Sequence, residues 1–467
     1  MQRALAYARY LPACGCRLHV LTASNAAPPV RDEALVKMIP PGTPVHGAFT
    51  PEVPYGWRDW IWKRLAKPAP GSAGTKTQTR ATECAAATVT TEISDTHETS
   101  NKIAPSGAVG PAMAHCADVA PPAPPSGWKH RAVSAVKRLF SPDPQVVWRP
   151  FALRKAAQLV RRHGIDTILV TVPPFSALRI GVDLKRQFPH LTLISDFRDQ
   201  WVGYYLAQLD NSADDAFRRQ LALSEERLAV ESSDYVVTVT PEWTRALINR
   251  YPELPPAKFL TVPNGYDPEM FRHFRPRPHG TGRMVVTYMG SVYTNPVYSP
   301  QAWLDAVDSL QEEVRGQVET RFIGRVAREA EPMLRNRRAE VRLYGFLPQH
   351  QGFALLEETD YLLLLIGEKT VHSGKLFEYL ATGKPVLAVT PPDGEVARVI
   401  AETGGGRVAS AEDPEALRAM ILEAWTHWRA GKVNSGFAPN AAAIEAYARP
   451  NTVALLARLT GITRGAA

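Results

Sequence analysis

His372-Ser373-Gly374-Lys375-Leu376-Phe377-Glu378-Tyr379-Leu380-Ala381-Thr382-Gly383-Lys384-Pro385-Val386-Leu387-Ala388 reads as a loop, one short helix, and then a buried strand. Ser373, Gly374 and Lys375 stand where the helix begins. A hydroxyl, free backbone N–H groups and an ammonium therefore meet at the positive end of the helix dipole, where a phosphate is favoured. Glu378 follows Lys375 by about one turn and is close enough to accept hydrogen bonds from a sugar ring. The segment by itself points to a nucleotide or phosphosugar pocket.

Around this pocket the chain alternates apolar runs with helical patterns. Thr167–Val172 precedes Pro173-Pro174, Leu191–Ser195 runs into Asp196-Phe197-Arg198-Asp199, Tyr235–Thr240 follows a charged helical stretch, and Phe259–Val262 leads to Pro263-Asn264-Gly265. After a Pro/Arg/His-rich joint at 272–282 the pattern restarts, with Met284–Met289 closed by Gly290, Thr320–Ile323 by Gly324, Glu340–Tyr344 by Gly345, and Tyr361–Ile366 by Gly367. Short apolar runs closed by turn residues are buried parallel strands, and two successive arrays predict two doubly wound α/β domains facing a cleft. Ligands of such sheets gather at the carboxyl ends of the strands, where these polar residues lie. Gly404-Gly405-Gly406 lacks a phosphate-loop context and reads as a helix-to-strand turn.

The 467 residues exceed one core, and 45% hydrophobic content supports packed interiors. No run of about 18 uncharged apolar residues is present, which argues against a membrane-spanning helix. The net charge of +8 fits an anionic partner or a basic surface kept for solubility. Cys14, Cys16, Cys84 and Cys116 are irregularly placed, as expected of reduced thiols in a cytoplasmic protein. No His/Glu/Asp spacing typical of a protein metal cage is present, so no metal site and no cofactor are expected. Residues 68–127 are dominated by Ala, Thr, Pro, Ser and Gly and read as a disordered insertion, too poor in large apolar groups to offset ordering entropy.

The landmarks, taken in order, resemble the family 4-like glycosyltransferases of the GT-B fold, in a bacterial surface-polysaccharide branch. Leu139-Phe140-Ser141-Pro142-Asp143 with Trp148, Pro173-Pro174-Phe175-Ser176, and Asp196-Phe197-Arg198-Asp199-Gln200-Trp201 are similar to landmarks of that branch. Pro263-Asn264-Gly265-Tyr266-Asp267 resembles the signature before the interdomain linker, and Gly290-Ser291-Val292-Tyr293 the first glycine turn of the donor domain. The opening segment resembles the donor-binding motif. The resemblance implies an acceptor-side domain over 1–270 and a nucleotide-sugar donor domain over 283–440. Residues 441–467 are helical in pattern and are expected to cross back to the first domain.

In that frame Glu378 would hydrogen-bond the ribose of the nucleotide-sugar and Lys375 would meet its diphosphate, with Ser373 and Gly374 completing the cradle. Arg325 is a second phosphate candidate or a solvated surface arginine. Gly290 would let backbone approach the donor or simply make a turn. Asp196, Arg198 and Asp199 would hold and tune an acceptor hydroxyl as catalytic residues, or form a structural Asp–Arg pair. The chain departs from the family pattern at Thr370, where many members carry a second glutamate, with Glu368 out of register. It departs again after the first donor-domain strand, where Ser291 and Asn295 or Pro296 replace the usual cations. The family's first strand and glycine-rich loop would precede Gln2-Arg3-Ala4-Leu5-Ala6, leaving Val20-Leu21-Thr22 as the second strand and suggesting a truncated start.

Trp57, Trp60 and Trp62 lie among basic residues, and 128–140 combines apolar residues at helical spacing with four Lys/Arg and no acid. Both suit peripheral contact with an anionic membrane on its cytoplasmic face, or an ordinary amphipathic helix. The expectation is a retaining, metal-independent glycosyltransferase acting on a lipid-linked or glycan acceptor in surface-polysaccharide assembly, with no nucleic-acid partner. The alternatives are a non-catalytic or impaired GT-B scaffold and a sugar-nucleotide epimerase.

Overall fold

The computed structural model describes residues 2–26, 36–52, 138–205, 213–277 and 281–462. The 68–127 insertion, Trp57, Trp60, Trp62, Cys84, Cys116 and residues 128–137 of the basic segment lie outside them.

In the first domain, helix α1 (Gln2–Tyr10) leads to a parallel pair, β1 (Val20–Ala23) and β2 (Val45–Ala48). Helix α2 (Arg149–His163) opens on Pro150 and closes on Gly164, whose φ of 59° is the left-handed cap that lets the chain turn into the next strand. A second sheet follows, with β3 (Thr167–Val172), β4 (Thr192–Phe197), β5 (Tyr235–Thr238) and β6 (Phe259–Thr261) all parallel and in sequential order. Helices α3 (Ala177–Gln187), α4 (Ala213–Ser232) and α5 (Pro241–Arg250) make the crossovers. Gly181 lets α3 sit close on the sheet, because a Cβ there would stand 2.8 Å from Val170 Cγ2 and 2.9 Å from Leu193 Cδ1.

The second domain contains β7 (Met284–Met289), α6 (Gln301–Asp308), β8 (Val318–Ile323), β9 (Glu340–Gly345), α7 (Gln349–Glu357), β10 (Tyr361–Leu365), α8 (Gly374–Ala381), β11 (Val386–Val389), α9 (Glu395–Thr403), β12 (Gly406–Ala409) and α10 (Pro414–Arg429). Its six strands are parallel in the order β12-β11-β10-β7-β8-β9, the doubly wound arrangement in which the chain reverses direction between β7 and β10. Two apolar layers cover the faces, one around Trp303, Tyr288 and Phe322, the other around Phe377, Tyr379 and Leu364. Gly404, with φ 61°, caps α9 against the carbonyl of Ala438, so the glycine run is a turn as its sequence suggests.

Two last helices, α11 (Ala441–Ala446) and α12 (Arg449–Thr460), lead back to the first domain. Val453, Leu456 and Ala457 of α12 pack with Ala6, Tyr7 and Leu11 against Ile194 of β4 and Val237 of β5. The returning chain bridges Tyr266, donating from Arg449 N to Tyr266 O at 2.8 Å. Gly265 permits this approach, since a Cβ there would run into the carbonyl of Tyr447.

Strand β4 corrects one reading. The apolar run ends at Ser195, but the ladder continues through Asp196 to Phe197. The two-residue alternation then turns Asp196, like Ile194, toward α1. Asp196 is fully buried: Oδ1 accepts from Arg3 Nε and Nη2 at 3.1 and 2.9 Å, and Oδ2 from Tyr7 Oη at 2.9 Å. Arg3 also donates to the carbonyls of Val262 and Pro263, each at 3.0 Å. With its oxygens engaged in the interior, Asp196 anchors α1 rather than meeting an acceptor sugar. Asp196→Ala leaves Arg3 charged and buried without its partner. Chemical denaturation should show a loss of about 3–5 kcal/mol. The paired Arg3→Met, Asp196→Leu variant should lose less than the sum of its singles, and full additivity would contradict this account.

Candidate active site

The reversal of strand order between β7 and β10 opens a crevice at their carboxyl ends. From the β7 side comes Gly290, and from the β10 side the loop 367–373 and the start of α8. Tyr379 fastens α8 to β7 by accepting from Met289 N at 2.8 Å. Lys375, in the first turn of α8, folds its ammonium over the face of Tyr288 at 4.7 Å from the ring centre and donates to Tyr288 Oη at 3.2 Å. Tyr288 Oη in turn donates to Ser291 O at 3.1 Å. The ammonium occupies the space a Cβ would fill at Gly290, so this position needs a glycine for the lysine to lie there. Lys375 forms no ion pair with a carboxylate among the described residues. Burial lowers its pKa to about 8, with Glu378 and Tyr293 opposing part of the shift.

At the N-cap of α8, Ser373 has extended backbone and its hydroxyl caps nothing. Ser373 Oγ and the neighbouring His372 Nδ1 are both buried without a hydrogen-bond partner. His372 Nε2 lies 2.9 Å from the carbonyl of Val239 in the first domain. Burial lowers this imidazole to about 4, so it is neutral near pH 7. A neutral ring that donates through Nε2 presents Nδ1 as an acceptor. Two polar atoms thus stand ready beside the backbone N–H groups of the helix start.

Glu378 is buried one turn further along α8. Burial raises its carboxyl, while a hydrogen bond from Gln2 and the charges of Arg449 and Lys375 hold it down. Arg449 donates to Gln2 Oε1 at 2.6 Å, and to the Gln2 carbonyl, so α1, α8 and α12 meet at this carboxylate. Thr370, in the place of a glutamate in many resembling chains, acts as a strut between domains. It accepts from Gln200 Nε2 at 2.9 Å, and its carbonyl accepts from Thr240 Oγ1 at 2.9 Å.

Between the domains lies a cavity of about 270 Å³ whose wall includes Gln2, Arg198, Asp199, Gly265, Gly374 and Arg449. It brings the start of α8 to the carboxyl end of β4. Arg198 lines this cavity and also pins the end of β3, where Nε donates to Val172 O at 3.1 Å and Nη2 to Pro173 O. Asp199 keeps its tip open to the cleft. The cleft walls push its carboxyl above the usual range against the pull of Arg198. Arg325 is exposed and stacks on Phe346 at 5.3 Å, following Gly324, which abuts the carbonyl of Gly290. It lies in the turn just past β8, the strand next to the crevice, with its side chain exposed at the rim.

Sequence reasoning missed Tyr288, His372, Gln2 and Arg449. For His372 the signal was present in its adjacency to Ser373. For the other three none was, because they converge from β7, α1 and α12.

Two family models match the chain: Glycosyltransferase Family 4 over residues 113–270 and Glycosyl transferases group 1 over 283–427. A search of curated proteins finds no match. Among solved structures, the chain is similar to Anabaena Alr3699/HepE in complex with UDP and glucose, at 15% identity and TM-score 0.49, covering 66% of this chain and 81% of that one. It is similar to a glycosyltransferase from Rickettsia africae ESF-5 at 12% identity and TM-score 0.48, covering 68% and 81%. It is also similar to WaaG, a glycosyltransferase involved in lipopolysaccharide biosynthesis, at 15% identity and TM-score 0.44, covering 67% and 93%. No helix among the described residues is long and apolar enough to cross a membrane. With a Family 4 domain on one side of the cleft and a group 1 domain on the other, the chain belongs to the GT-B glycosyltransferases.

Proposed function

We propose that this glycosyltransferase moves a sugar from a nucleotide-sugar to a lipid-linked or glycan acceptor in cell-surface polysaccharide assembly, with retention and without a metal. The observation that supports this most directly is the Lys375 ammonium, held over Tyr288 at the start of α8 without a carboxylate ion pair among the described residues. A half-buried cation so placed favours a diphosphate, and the α8 N–H groups, Ser373 Oγ and His372 Nδ1 supply further hydrogen bonds. Glu378, one turn further along α8, would accept from the ribose.

In the proposed reaction the bond from the sugar C1 to the diphosphate oxygen breaks, and a bond to the acceptor oxygen forms on the same face. The acceptor proton passes to the departing phosphate, whose growing negative charge Lys375 stabilises. Arg325 adds charge at the rim. Asp199 is the acceptor-side carboxylate left to orient the incoming hydroxyl. We place the enzyme on the cytoplasmic face of the membrane, drawn to anionic lipid by the 55–64 and 128–140 segments. Of the latter, Leu139 is 72% exposed.

Three outcomes check this reading. Calorimetry with UDP and the other nucleoside diphosphates should find a ligand whose affinity falls in Lys375→Met by about 1.5–3 kcal/mol, roughly a 10- to 150-fold rise in Kd. Equal affinity of the two proteins for every diphosphate would remove the donor site. Because the ammonium and not the amine attracts the anion, affinity should hold below pH 8 and fall by up to about tenfold per pH unit above it. In Lys375→Met that slope should vanish. Gly290→Val places side-chain atoms where the ammonium lies, and should weaken diphosphate binding while circular dichroism stays that of the parent.

A further inference from the structure

Three histidines far apart in sequence meet beneath the first domain. His19 immediately precedes β1, His46 is the second residue of β2, and His163 is the last residue of α2. The parallel register pairs Leu21 with His46, so His19, two residues before Leu21, is the diagonal neighbour of His46 on the same face. Helix α2 covers that face, with Leu21 packed against its apolar side, and its C-terminal turn delivers His163 over the pair. The ring centres of His19 and His163 are 4.3 Å apart, those of His19 and His46 5.3 Å, and those of His46 and His163 6.1 Å. His19 Nδ1 and His46 Nε2 are 3.1 Å apart. One ring nitrogen from each of the three lies within 4.8 Å of the others.

We propose that His19, His46 and His163 bind a late first-row divalent metal ion, with zinc the expected occupant. Nitrogens bound at 2.0–2.1 Å on a tetrahedral ion stand roughly 3.3 Å apart, so one pair is already at ligand spacing and the third ring needs only a small rotation. Three imidazoles with no carboxylate select zinc, cobalt, nickel or copper over magnesium or calcium. All three rings are half-buried, which holds their orientation yet leaves a path for an ion and a fourth position for water or an anion. Arg17 presses on His19, and Lys155 and Arg162 on His46. These cations oppose a dication and favour an anionic fourth ligand such as hydroxide or chloride.

The trio sits at the amino ends of β1 and β2, whereas the donor and acceptor groups gather at the carboxyl ends of the strands. The ion is therefore a clip joining β1, β2 and α2, and takes no part in sugar transfer. The proposal is independent of which donor or acceptor the enzyme uses.

The test uses the full chain without a polyhistidine tag. Titration with cobalt should produce visible d–d bands saturating at one equivalent, which zinc displaces and magnesium does not. The melting temperature should rise with zinc. His46→Gln and His163→Gln should each weaken zinc by at least about tenfold, judged against the 10- to 100-fold effects of lesser changes around metal sites. Copper bound to the unmodified chain should show nitrogen coupling from three imidazoles in its paramagnetic resonance spectrum, a readout that needs no variant to fold. Absence of saturable cobalt or zinc binding, or the same stoichiometry and affinity in the triple His→Gln protein, would overturn the proposal.

Discussion

Arg449 ties the far end of the chain to its beginning. It donates to the carbonyl of Gly265 and to both the carbonyl and side chain of Gln2, and Gln2 reaches Glu378. A guanidinium suits this role, because its planar fork serves several acceptors at once and stays charged even when burial lowers its pKa. Around it, the apolar contact of α12 with α1 provides non-directional attachment. Together they set the first helix against the donor helix, and so determine which groups face each other across the cleft.

The cleft concentrates desolvated groups of opposite character. Lys375 and Glu378 are each pushed toward neutrality by burial, and each restrains the shift of the other. His372 is kept neutral, and its bond to Val239 couples the donor loop to the first domain. Electrostatic interactions gain strength in such an environment, since little solvent remains to screen them. The same burial makes the arrangement intolerant of substitution, as the contact of Gly290 with the Lys375 ammonium illustrates.

Two carboxylates three residues apart show how much a single residue of strand length decides. Asp196, inside β4, turns inward to Arg3 and Tyr7, while Asp199, beyond the strand, stays at the cleft. Arg198 between them is engaged by carbonyls of β3. Sequence placed all three at a strand end and left open whether they act on substrate or on structure. The choice depended on where the ladder stopped, which propensity does not specify to one residue.

Local pattern was enough to read the alternating strands and helices, the turn at Gly404 and the helix start at Ser373-Gly374-Lys375, because each arises from interactions among residues close in the chain. Strand order, and with it the meeting of Gly290 with Lys375 of α8, was decided by packing of whole sheets. Gln2 and Arg449 reach Glu378 only through the returning helix, and His19, His46 and His163 meet only through a parallel register and a helix laid across it. These encounters join residues more than a hundred positions apart in most cases. No periodicity encodes them, because they are products of long-range burial rather than of neighbouring side chains.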